Sequence, residues 1–96
     1  MTRLVLAPAA TRDIDRLADF LLGFDPIAAI RTGRILIDGL QVLKRHPLMG
    51  RPVEQGYREI VISRGNTGYV ALYSFDVAND VAVVLGIRHQ REAGYY

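Results

Sequence analysis

Cysteine and tryptophan are both absent from the chain, and lysine occurs once, at Lys44. Without thiols there is no disulfide to support a fold and no thiolate to hold a metal, which points to a reducing compartment, the cytoplasm. Long apolar runs are lacking as well. The longest, Val81 to Ile87, is far too short to span a membrane, and Leu4 to Ala7 before Pro8 is too short for the core of a signal peptide. A soluble, cytoplasmic protein is expected, with no membrane association.

An excess of charge is missing too. The formal net charge is +2, from twelve Lys+Arg against ten Asp+Glu, too mild to imply nucleic-acid binding by charge alone. With two His, no Cys and one close His–acid spacing, His89 to Glu92, neither a metal site nor a cofactor is expected. What the chain does have is arginine. Every cation except Lys44 is Arg, the side chain suited to planar, bidentate contacts and to stacking on aromatic rings.

Ninety-six residues allow one domain, 1–96, with a single small core. Apolar residues make up 50% of the chain before its nine glycines are counted. Soluble domains reach roughly 45–50% with glycine included, so part of this surface is expected to be covered by a partner.

Residues 3–7 read as a first strand, and Pro8 then suits the first turn of a helix. Ile14, Leu17, Ala18, Leu21 and Leu22 form one apolar stripe, with Arg12, Asp13, Asp15, Arg16 and Asp19 on the other faces. Asp25-Pro26 has the order of an N-cap and a first-turn proline, so a second helix follows and the two form a hairpin. Its apolar positions are Ile30, Ile37, Leu40 and Leu43. Gly33 and Gly39 each weaken it by about 1 kcal/mol relative to Ala, and are expected where another backbone comes close.

The second helix ends at Lys44-Arg45-His46, with Pro47 blocking continuation and a loop running to Pro52. His46 is expected to cap that helix and pack under the loop, and Arg51 to pair with Glu54 or Glu59. From Tyr57 the period becomes that of strands: 57–63, 68–75 and 81–89, with turns at Gly65-Asn66-Thr67-Gly68 and Ala78-Asn79-Asp80. Tyr57, Tyr69 and Tyr73 are expected in the core or on a sheet face. The last strand is apolar on both faces and should be central or covered on both sides rather than on a solvent-facing edge. The predicted fold is α+β, in the order β-α-α-β-β-β. A helical hairpin packs on one face of a twisted, mainly antiparallel sheet, and the other face is open.

The segments "HPLMGRPVE", "GYREIVIS", "GYVALY" and "LGIRHQREAGYY", in this order behind a helical hairpin, resemble the RelE/ParE superfamily of toxins from bacterial type II toxin–antitoxin systems. The resemblance spans essentially the whole chain. It implies a compact toxin held inactive, as a hetero-oligomer, by a cognate antitoxin. One branch, similar to RelE, cuts messenger RNA on the ribosome; the other, similar to ParE, poisons DNA gyrase and cuts nothing itself.

A nuclease needs a base, an acid and cations for the developing phosphorane charge. In such nucleases the strand matching "GYVALY" typically has Arg after the Tyr, where this chain has Val70. A nuclease reading would rely on Arg88, His89, Glu92 and Tyr95. The ParE-like reading, favoured by Val70, makes Arg88, His89, Arg91, Tyr95 and Tyr96 a target-binding surface, Arg and Tyr being the types that concentrate binding energy. It commits no residue to catalysis. A third reading is a non-toxic member that binds its antitoxin and nothing else. In a purely structural role for the tail, Arg88 and Glu92 pair with each other or with Glu59 on the neighbouring strand, and Tyr95 folds back onto the sheet.

Overall fold

The computed structural model describes residues 1–64 and 67–95; Gly65 and Asn66 of the turn expected at Gly65-Asn66-Thr67-Gly68 and the terminal Tyr96 lie outside them, while Thr67 and Gly68 open a strand. The elements are β1 (Arg3–Leu6), α1 (Pro8–Leu22), α2 (Pro26–Leu40), a 3-10 turn (Gln41–Lys44), β2 (Arg51–Pro52), β3 (Arg58–Arg64), β4 (Thr67–Asp76) and β5 (Val81–His89). The sheet order is β1-β5-β4-β3-β2, with β1 parallel to β5 and the other neighbours antiparallel. The expected order of elements therefore holds, and β5 is an interior strand, flanked by β1 and β4, rather than a solvent-facing edge. Arg51–Pro52, expected within the loop, instead pairs with Glu59 and Arg58 as a short extra strand.

Local chemistry sets the helix starts. Pro8 occupies the first turn of α1, and the Asp25 carboxylate accepts hydrogen bonds from the backbone N–H groups of Ile27 and Ala28, both at 3.1 Å. Leu17, Leu36, Leu40 and Leu43 pack from the helical side onto Ile60, Ile62, Tyr69, Ala71, Tyr73, Ala82, Val84 and Ile87. Each fully buried Leu, Ile or Val among them contributes roughly 1.5–3 kcal/mol.

The phase of α2 differs from the expectation. Its buried stripe is Ala29, Thr32, Leu36 and Leu40, while Ile30 (66% exposed) and Ile37 (37%) face outward. The helix is apolar on more than one side, so spacing alone did not choose which side meets the sheet. Leu22 on α1 is likewise exposed. Gly39 lies against the Ile62 side chain rather than a backbone, a Cβ there falling 2.8 Å from Ile62 Cγ2, whereas Gly33 has open space around it.

The loop after α2 is fastened from beneath. Tyr73, fully buried, donates its hydroxyl to the Pro47 carbonyl at 2.7 Å and accepts from the Gly50 N–H at 2.9 Å. Arg58 donates to the carbonyls of Leu48 (3.2 Å) and Gly50 (2.7 Å). Glycine is required here, because a Cβ at residue 50 would lie 2.6 Å from the Tyr73 ring. The His46 side chain is exposed rather than under the loop; its backbone N–H closes the turn onto the Val42 carbonyl.

Candidate functional site

Strand alternation sends Tyr69, Ala71 and Tyr73 of β4 to the helices and Val70 and Leu72 to the opposite face. Two cross-strand rows build that face: Val61–Val70–Arg88 and Glu59–Leu72–Gly86. A register shift at Leu72/Tyr73 re-aims the end of β5 so that Ile87 points into the core and Arg88 onto the open face.

After β5 the chain folds back across this face. Tyr95 lies over Gly86, where a Cβ would come within 3.1 Å of the ring, and its hydroxyl donates to Glu59 Oε2 on β3 at 2.7 Å. Arg51 donates to Glu59 Oε1 at 2.9 Å, the pairing expected for it. The Arg88 guanidinium sits 5.2 Å from the Tyr95 ring centroid. Arg88 meets Glu92 through its backbone: Nη1 donates to the carbonyls of His89, Gln90 and Glu92, which fixes the turn of the tail.

These contacts set the ionisation of the cluster. Burial alone would raise Glu59, but hydrogen bonds from Tyr95 and Arg51 and the charges of Arg51 and Arg88 outweigh it, holding the carboxyl below its usual value. Burial, followed by the bond to Glu59, pushes the Tyr95 phenol well above the ordinary tyrosine value despite the opposing Arg88 charge. The face therefore carries a resident carboxylate and a neutral phenol.

A second arrangement holds the tail from the side. β1 pairs with β5 only as far as Leu6–Val84, so Ile87 has no strand neighbour there. The Asp13 carboxylate on α1 accepts from the Ile87 N–H at 2.9 Å, and Arg16 donates to the Ile87 carbonyl at 3.3 Å. Arg16 also binds the Glu92 carboxylate at 2.9 Å, and Glu92 accepts from the His89 N–H at 2.8 Å. Two helix residues thus act as the missing strand.

Of the sequence-predicted residues, Arg88, Glu92 and Tyr95 are drawn into these internal contacts. His89 sits edge-on to Tyr69, with ring centroids 5.4 Å apart, and its Nδ1 accepts from the Arg91 N–H. Arg91 is exposed, and Tyr96 lies outside the described residues. Asp13 and Arg16 are expected on faces of α1 other than its apolar stripe, yet Asp13 is 3% exposed. The signal was present: Asp13 keeps the phase of Ala10 and Leu17, the buried stripe. Among the described residues no group of three or more metal-ligating side chains gathers, and no helix is long and apolar enough to cross a membrane.

Residues 4–94 match the family model described as the ParE toxin of the type II toxin–antitoxin system, parDE. The chain belongs to the ParE toxin family. It is 36% identical over 92 residues to Toxin RelE3 of Caulobacter vibrioides, covering 96% of this chain and 98% of that protein. It is 42% identical over 64 residues to Toxin RelE1 of the same organism, covering 67% and 69%. Among solved structures it resembles a chain of the chromosomal ParDE TA system from P. aeruginosa (TM-score 0.78, 20% identity, 93% of this chain and 96% of that one). It also resembles a chain of the toxin–antitoxin complex RelBE2 from Mycobacterium tuberculosis (TM-score 0.66, 22% identity, 93% and 98%). At those identities the structures carry the fold; the family match makes this ParE-family chain the toxin of a type II pair, with a cognate antitoxin as its partner.

Proposed function

We propose that this toxin acts by gripping a macromolecule, DNA gyrase, and stalling it with DNA cut, and that it performs no chemistry of its own. The observation that carries this reading is the composition of the open face around Val70. Val70 is buried between Val61 and Arg88, in the place where a ribosome-directed nuclease would carry a cation. One row away stands the ionised Glu59, which repels a phosphate instead of clamping it.

The residues on which a nuclease would depend are engaged elsewhere. Tyr95 is committed to Glu59 and Glu92 to Arg16 and the His89 N–H, while Arg88 is bonded to three tail carbonyls. What this leaves for a target is a shaped, rigid tail with Arg91 exposed. Such pre-organisation favours binding, because ordering a loose tail on contact would cost affinity. Arg88, His89 and Tyr95 are only half-buried, so each can touch a target while its internal bonds hold; with the exposed Arg91 and with Tyr96 they form the proposed contact set.

Purified toxin should inhibit gyrase supercoiling in vitro, and Arg91→Ala should weaken inhibition about tenfold or more while leaving the fold intact. Absence of inhibition at molar excess overturns the reading. New transcript 5′ ends within translated codons after brief induction, without an SOS response, would replace it with the nuclease reading.

A further inference from the structure

Two large apolar side chains stand in solvent on the loop fastened by Tyr73 and Arg58: Leu48 is 57% and Met49 62% exposed. Their backbone is not free to turn them inward. Tyr73 holds Pro47 and Gly50, Arg58 holds the carbonyls of Leu48 and Gly50, and the Met49 N–H bonds the His46 carbonyl at 3.1 Å. The side chains of His46, Pro47, Leu48 and Met49 line a shallow, open depression. In the chain Lys44 and Arg45 precede the loop and Arg51 follows it; Arg45 is exposed, the Arg51 side chain is 74% exposed while paired with Glu59, and these three cations outnumber the exposed Glu54 that comes next. The neighbouring carboxylate of Glu59 is buried and already bound.

We propose that this loop is a docking surface for an acidic segment of the cognate antitoxin that seats apolar side chains on Leu48 and Met49 and carboxylates on Lys44, Arg45 and Arg51. Charge complementarity selects an acidic partner, and the rigid apolar pair at the centre selects a peptide. A phosphate backbone gains nothing from Leu and Met, and bases stack on aromatic or guanidinium planes, not on aliphatic loops. Arg51 connects this surface to the tail through Glu59 and Tyr95. A segment seated on the loop is therefore one ion pair away from the surface to be silenced. Fixing two anchors in advance lowers the entropy lost on binding.

The proposal rests on the antitoxin partnership of the family and is independent of the target, so its test contains neither gyrase nor DNA in the main arm. Isothermal titration of full-length toxin with purified cognate antitoxin should give a Kd raised about thirtyfold by the double substitution Leu48→Ser/Met49→Ser. Arg45→Glu should raise it about fivefold and flatten its dependence on salt. The backbone bonds of the loop survive both variants, so their urea midpoints should match that of the parent. Affinities within twofold of the parent overturn the proposal. A duplex oligonucleotide that binds the parent and Leu48→Ser/Met49→Ser equally but not Arg45→Glu overturns it too, reassigning the loop to phosphate contact. If the double variant has a lowered midpoint, Leu48→Gln/Met49→Gln, which keeps the stems, is titrated at matched folded fraction and read by the same limits.

Discussion

Glu59 is the residue on which the open face turns. It takes one hydrogen bond from the tail and one from Arg51, so a single carboxylate joins the loop after α2 to the end of the chain. Tyr95→Phe keeps the ring over Gly86 and removes the hydroxyl; it should cost about 1 kcal/mol in urea unfolding at neutral pH. The pH profile gives a second check. Glu59 is held below its ordinary 4.5, so its contribution is present above that pH and fades as acid drives the folded carboxyl to protonate. Tyr95 is raised above its ordinary 10.0, so its contribution is complete below that pH and is lost as pH climbs beyond it. Tyr95→Phe should therefore flatten the alkaline arm, and identical alkaline slopes in the two proteins would contradict the arrangement. Arg51–Glu59 was legible in the sequence; the Tyr95–Glu59 bond was not, because it joins residues 36 apart across β4.

Among the elements, the junction of α1 with β5 has the most consequence for the tail. A strand that outruns its neighbour leaves backbone groups unpaired, and the open edge invites pairing with other chains. Here Asp13 and Arg16 occupy that edge. Asp13→Ala should destabilise the domain by about 2 kcal/mol, the order expected for removing a buried charged acceptor from a backbone N–H. Amide exchange should localise the loss, with Ile87 and His89 deprotected and β3–β4 amides unchanged; full protection at Ile87 would refute the assignment. Asp13→Asn, which retains an acceptor, should recover part of it. The helices and strands were readable from spacing and punctuation. The β1 terminus and the shift at Leu72/Tyr73, which create the need for Asp13, arise only when the strands are laid side by side.

At the scale of the molecule, the body is elongated, 43 × 27 × 25 Å, and its apolar surplus is not spread evenly. Phe20 (72% exposed), Phe24 (78%), Ile27 (62%) and Ile30 (66%) collect around the turn of the helical hairpin, with the two Phe rings 5.7 Å apart. An apolar patch of that kind is a liability for a chain without its partner. The isolated toxin should self-associate as concentration rises. Phe20→Ser/Phe24→Ser should reduce this, seen by light scattering, while changing stability by no more than about 0.5 kcal/mol. Unaltered self-association would place the cause elsewhere. The excess of apolar residues was evident in the composition, but its location was not, because α2 offers an apolar stripe on more than one side and only packing decided which one was buried.

The sequence by itself determined the order of the elements, the interior place of β5 and the loop before β2, since these follow from local periodicity, caps and turns, and it carried the family through the resemblance of four ordered segments. Tertiary structure decided which residues meet: Asp13 with Ile87, Tyr95 with Glu59, Arg16 with Glu92, and Leu48 and Met49 held outward by Tyr73 and Arg58. Each is a contact between segments far apart in the chain, set by strand register and by the phase at which each helix meets the sheet, and no local pattern encodes those two quantities.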